Sequence, residues 1–203
     1  MRTRSSFIVS LLCGIGLVQT SQATTTLPSP QVEYSADRVI ESEMGTFNGK
    51  VFAAKDKERT EINMRGMQSV TILRRDKQLG WMLMPSRRMY TEMDLARAQK
   101  QSAAAPVNDV QIENVGTETI DGHAATKYKM LMKDGSAGGF IWITSDGIAI
   151  KMDMLSKENG KKSRVTMKLP NVTIGPQEAQ LFELPSGYNA MPSIGNAAMN
   201  FGR

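Results

Sequence analysis

Few residues in this chain could form a reaction centre. The single histidine, His123, follows the turn-forming pair Asp121-Gly122. A general base or metal ligand needs partners within bonding reach, and there is no second histidine to provide one. The single cysteine, Cys13, sits in an apolar run behind Leu12, where lipid attachment would require a small residue, so acylation is not expected. The twenty carboxylates are scattered along polar positions, with no feature that would raise a pKa. The only Gly-x-Gly is Gly14-Ile15-Gly16 in that same run, so neither a phosphate loop nor a dinucleotide fingerprint is present. These features predict a protein with no catalytic residues, no metal site and no cofactor.

Methionine is the unusual residue. There are fifteen, and the pairs Met82/Met84, Met130/Met132 and Met152/Met154 are each spaced by two. Thioethers are soft ligands that select Cu(I), so a Met-rich copper-binding protein is one reading. The spacing has a plainer cause, because a strand places residues i and i+2 on one face whatever their chemistry. No histidine or other cysteine stands by to complete a soft site. Thioether chains are also flexible and polarisable, and can repack around varied apolar ligands.

The elements that must position these residues are strands. Ile148, Ile150, Met152 and Met154 alternate with Ala149, Lys151 and Asp153. Thr126, Tyr128, Met130 and Met132 alternate with lysines, as do Val165, Met167 and Leu169 with Thr166 and Lys168. Such alternation marks antiparallel strands with one apolar and one wet face. Asn48-Gly49, Asp121-Gly122, Asp134-Gly135, Asp146-Gly147 and Asn159-Gly160 are hairpin-turn signals between the runs. About ten strands are expected between Val32 and Thr173. Asp94 to Ala105 is rich in helix formers and stops before Pro106, which predicts a short helix or a mobile arm bridging two groups of strands. Pro176 to Phe182 fits a single helical turn. The basic doublets Arg74-Arg75, Arg87-Arg88 and Lys161-Lys162 fit solvated turns and edges.

The two ends differ from the middle. Arg2 and Arg4 precede an apolar run from Phe7 to Val18, and Ser21-Gln22-Ala23 places small residues where a signal peptidase reads. The run is shorter than the roughly 20 residues needed to span a bilayer. Residues 1–23 therefore read as a cleaved signal peptide, residues 24–188 as one β domain, and residues 189–203 as a flexible Gly, Ala and Asn-rich tail. Cleavage removes two positive charges from the formal net charge of +5 and takes away the only cysteine, so disulfides are excluded. An exported chain with so mild an excess of charge, and no basic stripe interleaved with aromatics, is not expected to bind nucleic acid.

Several short motifs share an order. Gly49-Lys50-Val51-Phe52, Arg59 to Arg65, Gly80-Trp81-Met82-Leu83-Met84-Pro85 and Met89-Tyr90 resemble the N-terminal half of LolA-like proteins. Those are the periplasmic carriers of outer-membrane lipoproteins and their relatives. Gly116 to Gly122, Thr126-Lys127-Tyr128, Trp142-Ile143 and the closing Phe182 to Tyr188 are similar to the C-terminal half. The resemblance implies a mainly β fold: a curved antiparallel meander forming a half-open barrel, with a short helical lid over a hollow for acyl chains. On that fold, Trp81, Met82, Met84, Met130, Met132, Trp142, Met152 and Met154 are the expected lining of an apolar ligand cavity. The expected protein is a monomeric, non-enzymatic periplasmic binder or carrier of lipid or acylated ligands. It could have an envelope protein as partner and peripheral contact with the membrane. An envelope-stress sensor binding a membrane partner is the alternative from another class. Exported from a Gram-negative cell, the protein should have an intact mass that starts at Thr24. A full-length, membrane-retained species would contradict the signal reading.

Overall fold

The computed structural model describes residues 26–64, 66–104, 110–158 and 160–191, so the expected signal peptide and most of the expected tail lie outside the described residues. Thirteen strands join in one sheet. They are β1 (Tyr34–Ser42), β2 (Gly45–Ala54), β3 (Lys57–Met64), β4 (Met67–Arg74), β5 (Leu79–Met84), β6 (Met89–Asp94), β7 (Val110–Ile120), β8 (His123–Met132), β9 (Ala137–Thr144), β10 (Ala149–Glu158), β11 (Lys161–Lys168), β12 (Thr173–Ile174) and β13 (Asn189–Ala190). A helix, α1 (Leu95–Ala104), follows β6. No helix among the described residues is long and apolar enough to cross a membrane.

Two meanders make the sheet, β1 to β6 and β7 to β11, and they meet along a seam between β1 and β11. The seam is antiparallel, with Val39, Ile40 and Glu41 opposite Lys168, Met167 and Thr166. The sheet does not close: its order runs from β13 and β6 at one edge to β7 at the other. This is the mainly β, half-open antiparallel fold that the alternation and the LolA-like resemblance imply.

Turn chemistry explains most of the hairpins. Asp121 and Gly122 both take positive φ, 49° and 84°, as a tight two-residue turn between β7 and β8 requires. Asn48-Gly49 is different: it lies inside β2, and the β1–β2 hairpin turns at Glu43-Met44 instead, with Gly45 at positive φ opening β2. A β-carbon at Gly49 would fall 1.9 Å from the Glu61 carbonyl oxygen, so glycine is there for close strand approach. The β2–β3 turn uses Asp56 at φ 57° with no glycine after it, a signal the Asx-Gly pattern misses. Helix α1 starts where expected, with Asp94 Oδ1 accepting from the Arg97 amide at 2.8 Å as a cap.

The chain's own C-terminal segment covers one half of one sheet face. Ala179–Phe182 forms the single turn expected there. Phe182 is buried in a cluster with Val70, Ile72, Trp81 and Leu83, flanked by Leu181, Leu184 and Tyr188. Arg74 anchors this strap. It is only 4% exposed, contrary to the solvated turn expected of its doublet, while Arg75 beside it is exposed. Position 74 continues the inward side of β4 after Val70 and Ile72, and its charge is met by carboxylates at the face's edge. Its guanidinium donates to both Asp76 oxygens at 2.8 and 2.7 Å, to the Phe182 carbonyl at 3.4 Å, and to Glu183. Arg59 adds a bond to the Leu181 carbonyl at 3.3 Å. Beyond the strap, Asn189 and Ala190 pair in parallel with Met89 and Tyr90, so the first residues of the expected flexible tail belong to the sheet.

Two outcomes follow. Phe182→Ala should destabilise the protein by about 3–5 kcal/mol, the usual cost of emptying a buried aromatic site, as chemical denaturation would show. The hydrogen-bonded Arg74 guanidinium holds the Asp76 carboxyl down, from 3.8 to about 2. A carboxyl depressed on folding contributes stability above its unfolded value and loses it on acidification. The strap should therefore weaken as pH falls from about 3.8 through about 2. Asp76→Asn should remove that part of the profile, and an unchanged acid limb would contradict the anchor.

Candidate functional site

Register assigns every strand residue to a face, because directly paired residues point the same way. One row of partners crosses the seam: Tyr128 to Ile141, Ile141 to Met152, Met152 to Met167, Met167 to Ile40, and Ile40 to Phe47. The next row includes Ile112, Met130, Gly139, Met154 and Val165. In the other meander Met82 pairs with Thr71, Met84 with Met89, Gly80 with Met93, and Met64 with Met67. Followed strand by strand, these residues share the face of Tyr34, Ala36 and Ile40.

All six expected methionines, Met82, Met84, Met130, Met132, Met152 and Met154, therefore lie on one face. Met64, Met67, Met89, Met93 and Met167 join them. Packing between neighbours is close: a β-carbon at Gly139 would lie 2.1 Å from the Asp153 carbonyl oxygen and 2.9 Å from the Met154 sulfur, and one at Gly80 would lie 3.0 Å from the Ile72 carbonyl oxygen and 3.1 Å from the Met93 methyl. Glycine at these points permits close strand approach with a thioether chain alongside.

The expected tryptophans do not share this face. Trp81 is adjacent to Met82 in one strand and must point the opposite way; it packs under the C-terminal strap with Phe182. Trp142 pairs with Lys127 and Lys151, which alternate with Tyr128 and Met152. It is buried near the irregularity between Ala149 and Lys151, where it joins the cluster around Tyr34. Its indole donates to Glu118 at 2.7 Å, and the Lys151 ammonium stands 4.2 Å from its ring. Hydrogen bonds from Lys127 and Trp142 hold the Glu118 carboxyl below its ordinary range. The two tryptophans are thus structural anchors of the other face.

Burial along the methionine face is graded. At the end where β1 starts and β2 finishes, Tyr34, Ala36, Val51 and Ala53 are buried, in one cluster with Ile148, Ile150 and Leu169. Toward the opposite end the face opens, and Met64 and Met67 are 42% and 68% exposed. Across the sheet Met82 is 44% exposed. Helix α1, ten residues long, is too short to cover so broad a face. Two cavities lie on the other face. One of about 300 Å³ at the ends of β8, β9 and β10 is lined by Lys129, Leu131, Phe140 and Leu155, which alternate with Met130 and Met154. One of about 520 Å³ beside β10 and β11 is lined by Lys151, Asp153, Thr166 and Lys168, which alternate with Met152 and Met167. Neither gathers the expected set, and the methionine face is an open trough, buried at one end and exposed at the other.

His123 is exposed at the start of β8. No group of three histidine, cysteine or acidic residues that could hold a metal occurs among the described residues. One polar residue on the methionine face escaped the sequence reading. Arg38, in β1, sits between Ala36 and Ile40 on that face. Its place in the alternation, an arginine in phase with Tyr34, Ala36 and Ile40, was the available signal.

No curated protein matches the chain closely enough to count as a relative. Among solved structures it is similar to an uncharacterized conserved protein from Thermus thermophilus, with a TM-score of 0.55 at 12% identity, over 79% of this chain and 90% of that one. At that identity the likeness shows a shared fold. The chain is also similar to the MucA/MucB complex of Pseudomonas aeruginosa, with a TM-score of 0.47 at 16% identity, over 75% of this chain but 56% of that one. A putative outer membrane lipoprotein-sorting protein domain from Vibrio parahaemolyticus follows, at 0.33 and 8% identity, over 74% and 89%. The family model described as a domain of unknown function, DUF4412, matches residues 39–152, from within β1 to within β10. That segment is more than half of the 203 residues, and the chain belongs to the DUF4412 family.

Proposed function

We propose that this is a periplasmic, non-enzymatic binding or carrier protein whose methionine face takes the acyl chains of lipid or acylated ligands. One observation carries the reading: eleven methionines from both meanders share one face of an open sheet, and part of that face stays exposed. An exposed apolar patch of this breadth on a monomer signals a ligand or a partner. The signal-like start agrees with an envelope location, and the LolA-like resemblance agrees with an acyl ligand.

Burial of acyl carbons would drive such binding. Each CH₂ removed from water contributes about 0.8 kcal/mol, so a twelve-carbon chain gains roughly 10 kcal/mol before the cost of association. Methionine suits the task because its unbranched side chain repacks around chains of different length.

The test compares neighbours on opposite faces. Met132 lies on the methionine face, whereas Leu131 points the other way and is 41% exposed. Met132→Lys should weaken binding of an environment-sensitive acyl fluorophore by tenfold or more, because a charge there meets acyl carbon in place of water. Leu131→Lys should leave binding within about twofold of wild type, since its ammonium stays solvated. Equal behaviour of the two variants, or no binding by the wild type, would overturn the reading.

A further inference from the structure

Arg38 is out of place on the apolar face. Across β1 its neighbours on the two adjoining strands are Gly49 and, extending the seam by one position, Leu169. Neither carries a charge. Its only hydrogen bond among the described residues runs from Nη1 to the Thr60 hydroxyl, at 3.1 Å. Its Nε is buried and has no partner. The carboxylate that shares its Thr60 partner is already engaged: Glu58 accepts from the Thr60 hydroxyl at 3.3 Å and from Arg75 at 3.2 Å.

A guanidinium keeps its charge at any physiological pH, and burying a donor without an acceptor is costly. Elsewhere in this protein the arginines in comparable settings are provided for. Arg74 has two carboxylates and a carbonyl, and Arg59 has Glu61 and a carbonyl. Arg38 alone among these three lacks an anion, and it stands at the level where the buried end of the trough gives way to the methionines. Gly49 opposite it brings no side chain to cover the guanidinium.

We infer that Arg38 binds the anionic end of a single-chain amphiphile, a carboxylate or phosphate, whose acyl tail lies along the methionine face. This rests on the acyl-binding reading above and adds polarity and direction to it: head beside Arg38, tail toward the open end. The fork of Arg38 can give a carboxylate two parallel N–H bonds through Nε and one terminal nitrogen. A neutral head of the same length would leave Nε unpaired.

The test uses matched ligands on the mature chain by calorimetry: dodecanoate, dodecanol and inorganic phosphate. The wild type should bind dodecanoate at least tenfold more tightly than dodecanol, and phosphate only weakly. Arg38→Gln should abolish that preference by weakening dodecanoate about tenfold or more while leaving dodecanol unchanged. Arg38→Lys keeps the charge but loses the Nε donor, and should fall between the two, which covers the case of a poorly folding Arg38→Gln. Equal binding of dodecanoate and dodecanol by the wild type would overturn the Arg38 assignment and leave the acyl trough standing. Binding of neither amphiphile would overturn both. Phosphate binding as tight as that of dodecanoate would show a free-anion site and overturn the head-and-tail arrangement.

Discussion

Alternation along the strands of one continuous sheet, antiparallel except where β13 joins β6, is the constraint from which the rest follows. Side chains of paired residues point the same way, so the register at each hairpin and at the β1–β11 seam assigns thirteen strands to two common faces. A slip of one residue at the seam would put Met152 and Met167 on opposite sides from Ile40. The pairing of Ile40 with Met167 keeps the apolar sides of both meanders in phase.

The two faces then meet different fates. One is finished by the chain itself: the C-terminal strap lays Phe182 over Val70, Ile72, Trp81 and Leu83, and Arg74 ties it down with Asp76, Glu183 and the Phe182 carbonyl. The rest of that face is mixed: Lys151, Asp153, Thr166 and Lys168 make it polar along β10 and β11, while Leu131, Phe140 and Leu155 form a small apolar hollow at the far ends of β8, β9 and β10. Among the described residues the other face receives no such cover. It is closed only at one end, around Tyr34 and Val51, and grows steadily more exposed toward Met64 and Met67. The methionine face thus carries the broader exposed apolar surface of the two, which is the basis of the acyl-binding proposal.

Much of this architecture was legible in the residues. Alternation identified the strands and put the two methionines of each pair on one side of their own strand, because period two needs no knowledge of the partner strand; that the three pairs share a face is fixed by the register. The helix after Asp94 and the turn before Phe182 were equally plain. What alternation could not provide was which residues of a motif face which way. Trp81 and Met82 sit side by side in one strand, so grouping them in one lining was geometrically impossible, and Trp142 follows the same rule against Ile141. Long-range partners were also hidden. Nothing local marks Arg74 as buried, because its carboxylate Glu183 lies more than a hundred residues away. Asn48-Gly49 read as a turn because the pair is a hairpin signal, yet the structure uses Gly49 where β2 and β3 approach closely.

The central claim is that one face of this sheet, and not the other, meets the ligand. Methyl-labelled methionine and indole resonances report on the two faces separately in a single sample. With a spin-labelled fatty acid added, the account predicts that the methyl signals of Met84, Met130, Met132, Met152 and Met154 broaden, while the indole signals of Trp81 and Trp142 stay sharp. Broadened indoles beside unaffected methionine methyls would contradict it.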